Sequence, residues 1–391
     1  MDIYQRALKF HEELEGKIDI TPKCELKTKD DLSLAYSPGV AEPCRQIHKN
    51  KEDAYKYTWK SNIVAVVSDG TAVLGLGDIG PEAGLPVMEG KSVLFKEFGG
   101  VNAIPIMLDT KDPEEIINIV KKISPTFGGI NLEDISAPRC VQIERRLIEE
   151  LDIPVFHDDQ HGTAIVVTAG LINALKLVNK KAENSRLVIS GTGAAGSSIV
   201  KMLYAYGFRD IYAFDSKGIL NRKHSDTYDF LKKEISEITN PECKDITLRE
   251  AIKGADVFLG VSVANIVDKE MVKSMNHDAI VFAMANPDPE IPYDDAKAAG
   301  ARIVGTGRSD YPNQVNNVLA FPGLFKGALS VRARKISEEM KMAAAVGIAK
   351  IAEEEGLSDE YVIPSPFNKR VAETVAAEVA KKAIEQGLNR K

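Results

Sequence analysis

Two pairs of adjacent acids dominate the chemistry available to this chain. Glu133-Asp134 follows Gly129 to Leu132, and Asp158-Asp159 follows Pro154-Val155-Phe156-His157. Acids crowded at the ends of short apolar strands repel one another. A hard divalent cation with oxygen ligands, Mg2+ or Mn2+, removes that repulsion. Such pairs also serve as solvated turns or helix caps, and Asp134 and Asp159 are placed to cap helices at Pro138 and Thr163. Lys91, in Met88-Glu89-Gly90-Lys91-Ser92, is a candidate base, because burial lowers a lysine pKa. An exposed, salt-bridged lysine is the commoner fate. Tyr36, in Leu34-Ala35-Tyr36-Ser37-Pro38-Gly39, sits on a rigid turn and has a phenol able to donate a proton. A buried, hydrogen-bonded tyrosine fits the same pattern.

A third signal is Gly191-Thr192-Gly193-Ala194-Ala195-Gly196, preceded by Leu187 to Ser190 and followed by an apolar helical run. Gly191 permits a tight turn, Gly193 lets backbone approach a pyrophosphate, and Gly196 lets helix and strand pack closely. The helix N-terminus offers free N–H groups to the phosphates. Asp215 ends the next strand, where a carboxylate accepts ribose hydroxyls and repels a 2′-phosphate. NAD is therefore favoured over NADP, although Lys217 and Arg222 soften the preference. Gly75-Leu76-Gly77-Asp78-Ile79-Gly80 has the same spacing but is followed by Pro81-Glu82-Ala83-Gly84-Leu85-Pro86, which lacks an apolar helix face. It reads as a turn rather than a second dinucleotide site. Asn286, in Ala285-Asn286-Pro287-Asp288, and Asn317, in Gln314-Val315-Asn316-Asn317, complete the candidates. Asn286 closes a predicted strand, at the edge where open α/β sheets bind ligands, although Asn-Pro is also a turn signal.

The elements that must position these residues alternate. The first part predicts strands near Asn62–Val67, Val73–Leu76, Ala103–Leu108, Gly129–Leu132 and Pro154–Phe156. Helices are predicted at Met88–Phe98, Pro113–Ile123 with Asp112 as N-cap, Pro138–Leu151 and Thr163–Val178. From Arg186 five short apolar strands alternate with helical segments, and after about Arg308 the chain turns helical. This predicts an α/β protein. A Rossmann-type doubly wound parallel sheet spans 161–310, an N-terminal α/β domain spans 1–160, and a helical segment, 311–391, packs back on the N-terminal domain.

Composition removes several classes. The 391 residues carry 50 Lys+Arg against 57 Asp+Glu, a net charge of −7, which argues against binding nucleic acid by phosphate neutralisation. The longest apolar stretch, Ala164 to Val178, includes Thr168, Asn173 and Lys176 and predicts a buried helix rather than a membrane span. The first fifteen residues lack a signal-peptide core. Cys24, Cys44, Cys140 and Cys243 are scattered with no CxxC, which fits reduced packing residues in a cytoplasmic protein.

In order along the chain, AYSPGVAEPC, SDGTAVLGLGDIG, MEGK, NLED, FHDDQHGTA, GTGAAG, ANPDPEI and QVNNVLAFPG resemble a malic enzyme of the short prokaryotic type. The resemblance runs from about Tyr36 to Gly323. It implies oxidative decarboxylation of L-malate to pyruvate and CO2, with NAD or NADP reduced and a divalent metal assisting, in a homodimer. By that resemblance the N-terminal domain holds substrate and metal. Lys91 takes the hydroxyl proton and Tyr36 protonates the enolate carbon. Glu133, Asp134 and Asp159 bind the metal, with Asp158 beside them. Asn286 and Asn317 contact substrate, and Asn317 also lies near the nicotinamide. One position departs from larger relatives: Ala72 stands where they carry an arginine for a substrate carboxylate. Arg308, Lys91 or a residue of another subunit are the candidates to replace it. Rival readings are a metal-dependent hydroxy-acid dehydrogenase that does not decarboxylate, and a nucleotide-sensing regulatory protein. The latter predicts loss of Lys91, Tyr36 or one of the acids, and all are present.

Overall fold

In a computed structural model, which describes residues 2–73 and 75–391, the chain is built on two separate sheets. The first is wholly parallel, with β2 (Asn102–Met107), β1 (Ile63–Ser68), β3 (Gly129–Leu132) and β4 (Val155–His157) side by side in that order. Alternate residues of β1 face opposite layers. Val64 and Val66 join the large central core, and Ile63, Ala65 and Val67 join a second one. A strand apolar on both faces suits a parallel sheet covered on both sides.

Before this sheet come α1 (Ile3–Leu14), α2 (Lys29–Ala35), α3 (Ala41–Lys49) and the short α4 (Ala54–Tyr57). None of the first three helices has a buried residue. The covering helices are α5 (Pro81–Gly99), α6 (Pro113–Ile123) and α7 (Arg139–Glu150). Asp112 caps α6 by accepting from Glu114 N, as expected. Helix α5 starts well before Met88, at Pro81, so the second GxGxxG does open a helix. Its residues 81–90 contain Pro86, Gly84 and Gly90, which hid the periodicity. No strand forms at residues 75–76; Val73 makes one isolated bridge to Gly77.

Helix α8 (Asp158–Leu177) leads to the second sheet. This consists of β5 (Arg186–Ser190), β6 (Asp210–Asp215), β7 (Gly218–Ile219), β8 (Val257–Gly260), β9 (Ile280–Ala283) and β10 (Ile303–Thr306). Its order is β10-β9-β8-β5-β6-β7, parallel except for the two-residue edge strand β7. Leu187 and Ile189 face the central core while Val188 faces another, so this sheet too is covered on both sides. The fold is the α/β, Rossmann-type doubly wound arrangement expected. The intervening helices are α9 (Ala194–Tyr206), α10 (Phe230–Ser236), α11 (Leu248–Ile252), α12 (Lys269–Lys273) and α13 (Tyr293–Ala298). The order reverses between β5 and β8, at the switch point where such sheets bind ligands.

The chain ends in α14 (Phe321–Ser330), α15 (Glu338–Glu355) and α16 (Arg370–Glu385). Phe325 of α14 packs edge-on against Phe95 of α5 at 5.4 Å and Phe156 of β4 at 6.0 Å. Near the C-terminus Arg390 pairs with Asp152 at 2.9 Å. Phe325 is fully buried, so Phe325→Ala is expected to cost about 3–5 kcal/mol of unfolding free energy. Urea denaturation followed by circular dichroism measures it, and a loss below about 1 kcal/mol would show that α14 is not locked to the first sheet.

Candidate active site

The first sheet ends in charge. Glu133 and Asp134 leave the C-terminal end of β3, and Asp158 and Asp159 begin α8 directly after β4. These two strands are neighbours, so both acid pairs emerge on the same edge. Neither candidate cap is one. Helix α7 starts at Arg139 without a side-chain cap, and Asp159 lies inside the first turn of α8 rather than before Thr163. Carboxylates in a helix's first turn are favoured by its dipole, which offsets part of their mutual repulsion. Asp134 adopts a left-handed φ of 52°, and its backbone N–H donates to Asp159 Oδ2 at 2.7 Å.

Lys91, from the middle of α5, reaches into this cluster. Its Nζ is 2.5 Å from Asp158 Oδ2 and 2.8 Å from Glu133 Oε1, with all three side chains buried. The expectation of a lysine lowered by burial is reversed. Burial does work in that direction, but Asp158 and Glu133 together outweigh it and hold the ammonium above its usual range. Burial pushes the Asp158 carboxyl up to about 7, against the pull of Lys91. Burial and mutual repulsion push Glu133, Asp134 and Asp159 up as well.

The donor set fits a hard cation. One ligand atom from each of Glu133, Asp134 and Asp159 lies within 4.8 Å of the others. Asp134 Oδ2 is buried without a hydrogen-bond partner. A buried, unpaired carboxylate oxygen among like charges is costly unless a cation meets it.

Several residues shape the cluster that the sequence did not single out. Asn131 Nδ2 donates to Glu133 Oε2 at 2.9 Å. The Phe321 ring lies under the Lys91 ammonium, 4.1 Å from Nζ to centroid. A Cβ on Gly162 would lie 2.0 Å from Asp158 Oδ1, so only glycine leaves that carboxylate its seat. Such dependence on glycine is visible only once α8 is known to begin at Asp158.

Of the remaining candidates, Asn317 joins the cluster, its amide donating to Asp158 Oδ2. Asn286 lies beyond the carboxyl end of β9, exposed, with its carbonyl facing Gly75 and its amide facing Gly307. Tyr36 is not brought in. It is 70% exposed at the end of α2, and the expectation of a buried, hydrogen-bonded phenol fails with it. Ala72 N donates to Asp134 O at 2.9 Å. Arg308, offered as a carboxylate partner, is instead forked onto Asp310 at 2.9 and 2.7 Å.

A second site opens at the switch point, as a cavity of about 1230 Å3 lined by Gly191, Thr192, Gly193, Asp215 and Ser262 among others. A Cβ on Gly191 would meet Val261 O at 2.4 Å, and one on Gly196 would meet Gly191 O at 1.9 Å, whereas nothing lies near Gly193. The turn is thus sealed on the sheet side and open on the cavity side. Ala194 and Ala195 begin α9, whose N-terminus has no side-chain cap. Thr192 Oγ1 is buried without a partner. Free donors at a helix N-terminus, an open glycine and an unsatisfied hydroxyl suit a pyrophosphate. Asp215 accepts from Lys232 Nζ and Lys217 N, both at 2.7 Å, and these bonds overcome burial to hold it below its usual range. Lys232 was not anticipated, because it comes from α10, 17 residues further along the chain. Arg222 turns away, donating to Pro241 O.

Residues 15–148 match the malic enzyme N-terminal domain, and residues 160–384 match the malic enzyme NAD binding domain. The bifunctional malic/malolactic enzyme of Bacillus subtilis is 58% identical over 390 residues, covering 100% of this chain and 95% of its own length. The NAD-dependent malic enzyme of Geobacillus stearothermophilus is 56% identical, covering 100% and 81%. The crystal structure of a malic enzyme from Pyrococcus horikoshii superposes with a TM-score of 0.94 at 48% identity, covering 100% and 92%. Both halves of the chain and its full length therefore match one family: the chain belongs to the malic enzymes.

Proposed function

We propose that the protein oxidatively decarboxylates L-malate to pyruvate and CO2 while reducing NAD, or NADP in its place, with Mg2+ or Mn2+ held by Glu133, Asp134 and Asp159. The observation that carries this reading is the contact of one buried lysine with acids from both strand ends, Glu133 and Asp158. Residues 1–160 hold substrate and metal, 161–310 hold the dinucleotide, and 311–391 pack back to complete the site.

When bound, the cation polarises the substrate oxygens as a Lewis acid and the nicotinamide accepts a hydride. The chain's own groups handle protons. The Lys91 ammonium first passes its proton to Asp158, its hydrogen-bond partner, and the amine so formed takes the proton of the C2 hydroxyl as C2 is oxidised. Asp158, hydrogen-bonded to the same ammonium, orients it and shares that proton, and Asn317 fixes Asp158 from the other side. Phe321 closes the site beneath Lys91 and keeps water from the ammonium. Asn286, at the exposed end of β9, contacts substrate from the dinucleotide side. Asp215 takes the adenosine ribose and leaves its other interactions with Lys232 and the Lys217 backbone in place.

Tyr36 returns a proton to C3 after CO2 leaves. It does so from a second copy of the chain. Helices α1 to α3 bury nothing of their own, and Ile3, Tyr4, Leu8, Phe10 and Leu34 are all more than half exposed. An apolar surface of this extent marks an interface, and a twofold dimer carries each copy's Tyr36 to its neighbour.

Lys91→Ala is expected to lower malate-dependent NADH formation by about 100-fold or more while NADH binding, read by fluorescence, stays unchanged. Parallel loss of both would reassign Lys91 to folding. EDTA is expected to abolish NADH formation, Mn2+ to restore it in the parent, and Asp159→Asn to respond weakly to Mn2+ at any concentration. Pyruvate assay fixes the product: oxaloacetate accumulating without pyruvate would leave a simple dehydrogenase. Mixing Tyr36→Phe and Lys91→Ala proteins tests the shared site. Random dimers regain roughly a quarter of intact sites if Tyr36 acts on the neighbour, and none if both residues serve one subunit.

A further inference from the structure

Glu144 lies on α7, has no part in any role assigned above, and is 3% exposed. Its carboxylate grips the start of α8 at three points. Oε1 accepts from the His157 backbone N–H at 2.8 Å, and Oε2 accepts from Gln160 Nε2 at 3.2 Å and lies 2.9 Å from His161 Nε2. These contacts bracket Asp158 and Asp159, one residue before the pair and the first two residues after it. The N–H of His157 would otherwise be buried unpaired at the head of a helix that has no side-chain cap.

The carboxylate is itself held in place. Lys341 of α15 is buried, with Nζ 3.1 and 3.2 Å from the two ring nitrogens of His161 and 2.8 Å from Glu338. Ser198 of α9 approaches His161 Nδ1 at 2.9 Å. Burial pushes Glu144 up, but His161 and then Lys341 more than offset it and hold the carboxyl down at about 2. It is therefore an anion that can accept hydrogen bonds at both oxygens.

We propose that Glu144 is a positioning residue: it sets the β4–α8 junction so that Asp158 meets Lys91 and Asp159 meets the cation, with Lys341 supplying the buried counter-charge. Groups that orient metal ligands without touching the metal typically change affinity by 10- to 100-fold when removed. A glutamine at this position has the same shape but presents one acceptor oxygen where the native site uses two. The inference rests on the metal reading of Glu133, Asp134 and Asp159.

The test is Mn2+ affinity of the full-length protein, measured from free Mn2+ by electron paramagnetic resonance. NADH affinity and thermal unfolding are measured on the same samples. Glu144→Gln is expected to bind Mn2+ about 10- to 100-fold more weakly, with NADH affinity unchanged because the glycine turn is untouched. Lys341→Met, which contacts none of the acids that meet Lys91 or the cation, is expected to shift Mn2+ affinity the same way by a smaller factor. Glu144→Gln binding Mn2+ within about twofold of the parent overturns the proposal. Should Glu144→Gln not fold, Lys341→Met decides: unchanged Mn2+ affinity overturns it. A parent protein whose Mn2+ binding is indifferent to Asp159→Asn would instead sink the metal reading itself.

Discussion

Four carboxylates and one ammonium crowd the edge of the first sheet, all but Asp159 buried, and most of the architecture answers to that excess of negative charge. Desolvation raises the energy of each charged group, and like charges raise one another further. The chain meets this with several partial remedies. The first turn of α8 offers its dipole, Lys91 brings a cation from α5, Asn131 and Asn317 donate amides, and the backbone of Asp134 donates to Asp159. Two buried carboxylate oxygens stay without a partner, Asp134 Oδ2 and Asp158 Oδ1. A site left deliberately short of positive charge selects strongly for a small divalent cation.

Helix α8 is the member that links this site to everything else. It begins with the acids, runs for 20 residues, and packs along α9 of the dinucleotide-binding layer and α15 of the C-terminal layer. Fourteen of its residues are buried, so its position is fixed from all sides. The two sheets therefore meet on one rigid body rather than across a loop. The carboxylates of one and the glycine turn of the other hold a defined relation.

Much of this was legible in the residues, for reasons that differ by motif. The glycine turn could be read because its requirements are local: a tight turn, an open backbone and a close helix–strand contact each demand glycine at a set spacing. The acid pairs were readable because adjacent carboxylates after apolar strands are unusual. Helix α5 was half missed because it is packed on several sides and carries Pro86 and two internal glycines, which blur any amphipathic signal. Lys232, Phe321 and Glu144 escaped because each acts through a neighbour distant in sequence, and Gly162 because its role depends on where α8 begins. No spacing rule reports that α10 returns to Asp215 or that α7 reaches His157. The Lys91 environment was misjudged because burial was weighed without its two carboxylate partners.

The placement of Asn317, Phe321 and Lys341 has a consequence for synthesis of the chain. All four acids are in place by residue 159, whereas the amide that steadies Asp158, the ring beneath Lys91 and the ammonium behind His161 come more than 150 residues later. Domains emerge and fold from the N-terminus onward. On the ribosome, then, the acidic edge of the first sheet waits, hydrated and only partly compensated, while the second sheet is made. The arrival of α14 and α15 dries it. Until then the nascent chain carries an open carboxylate surface toward solvent.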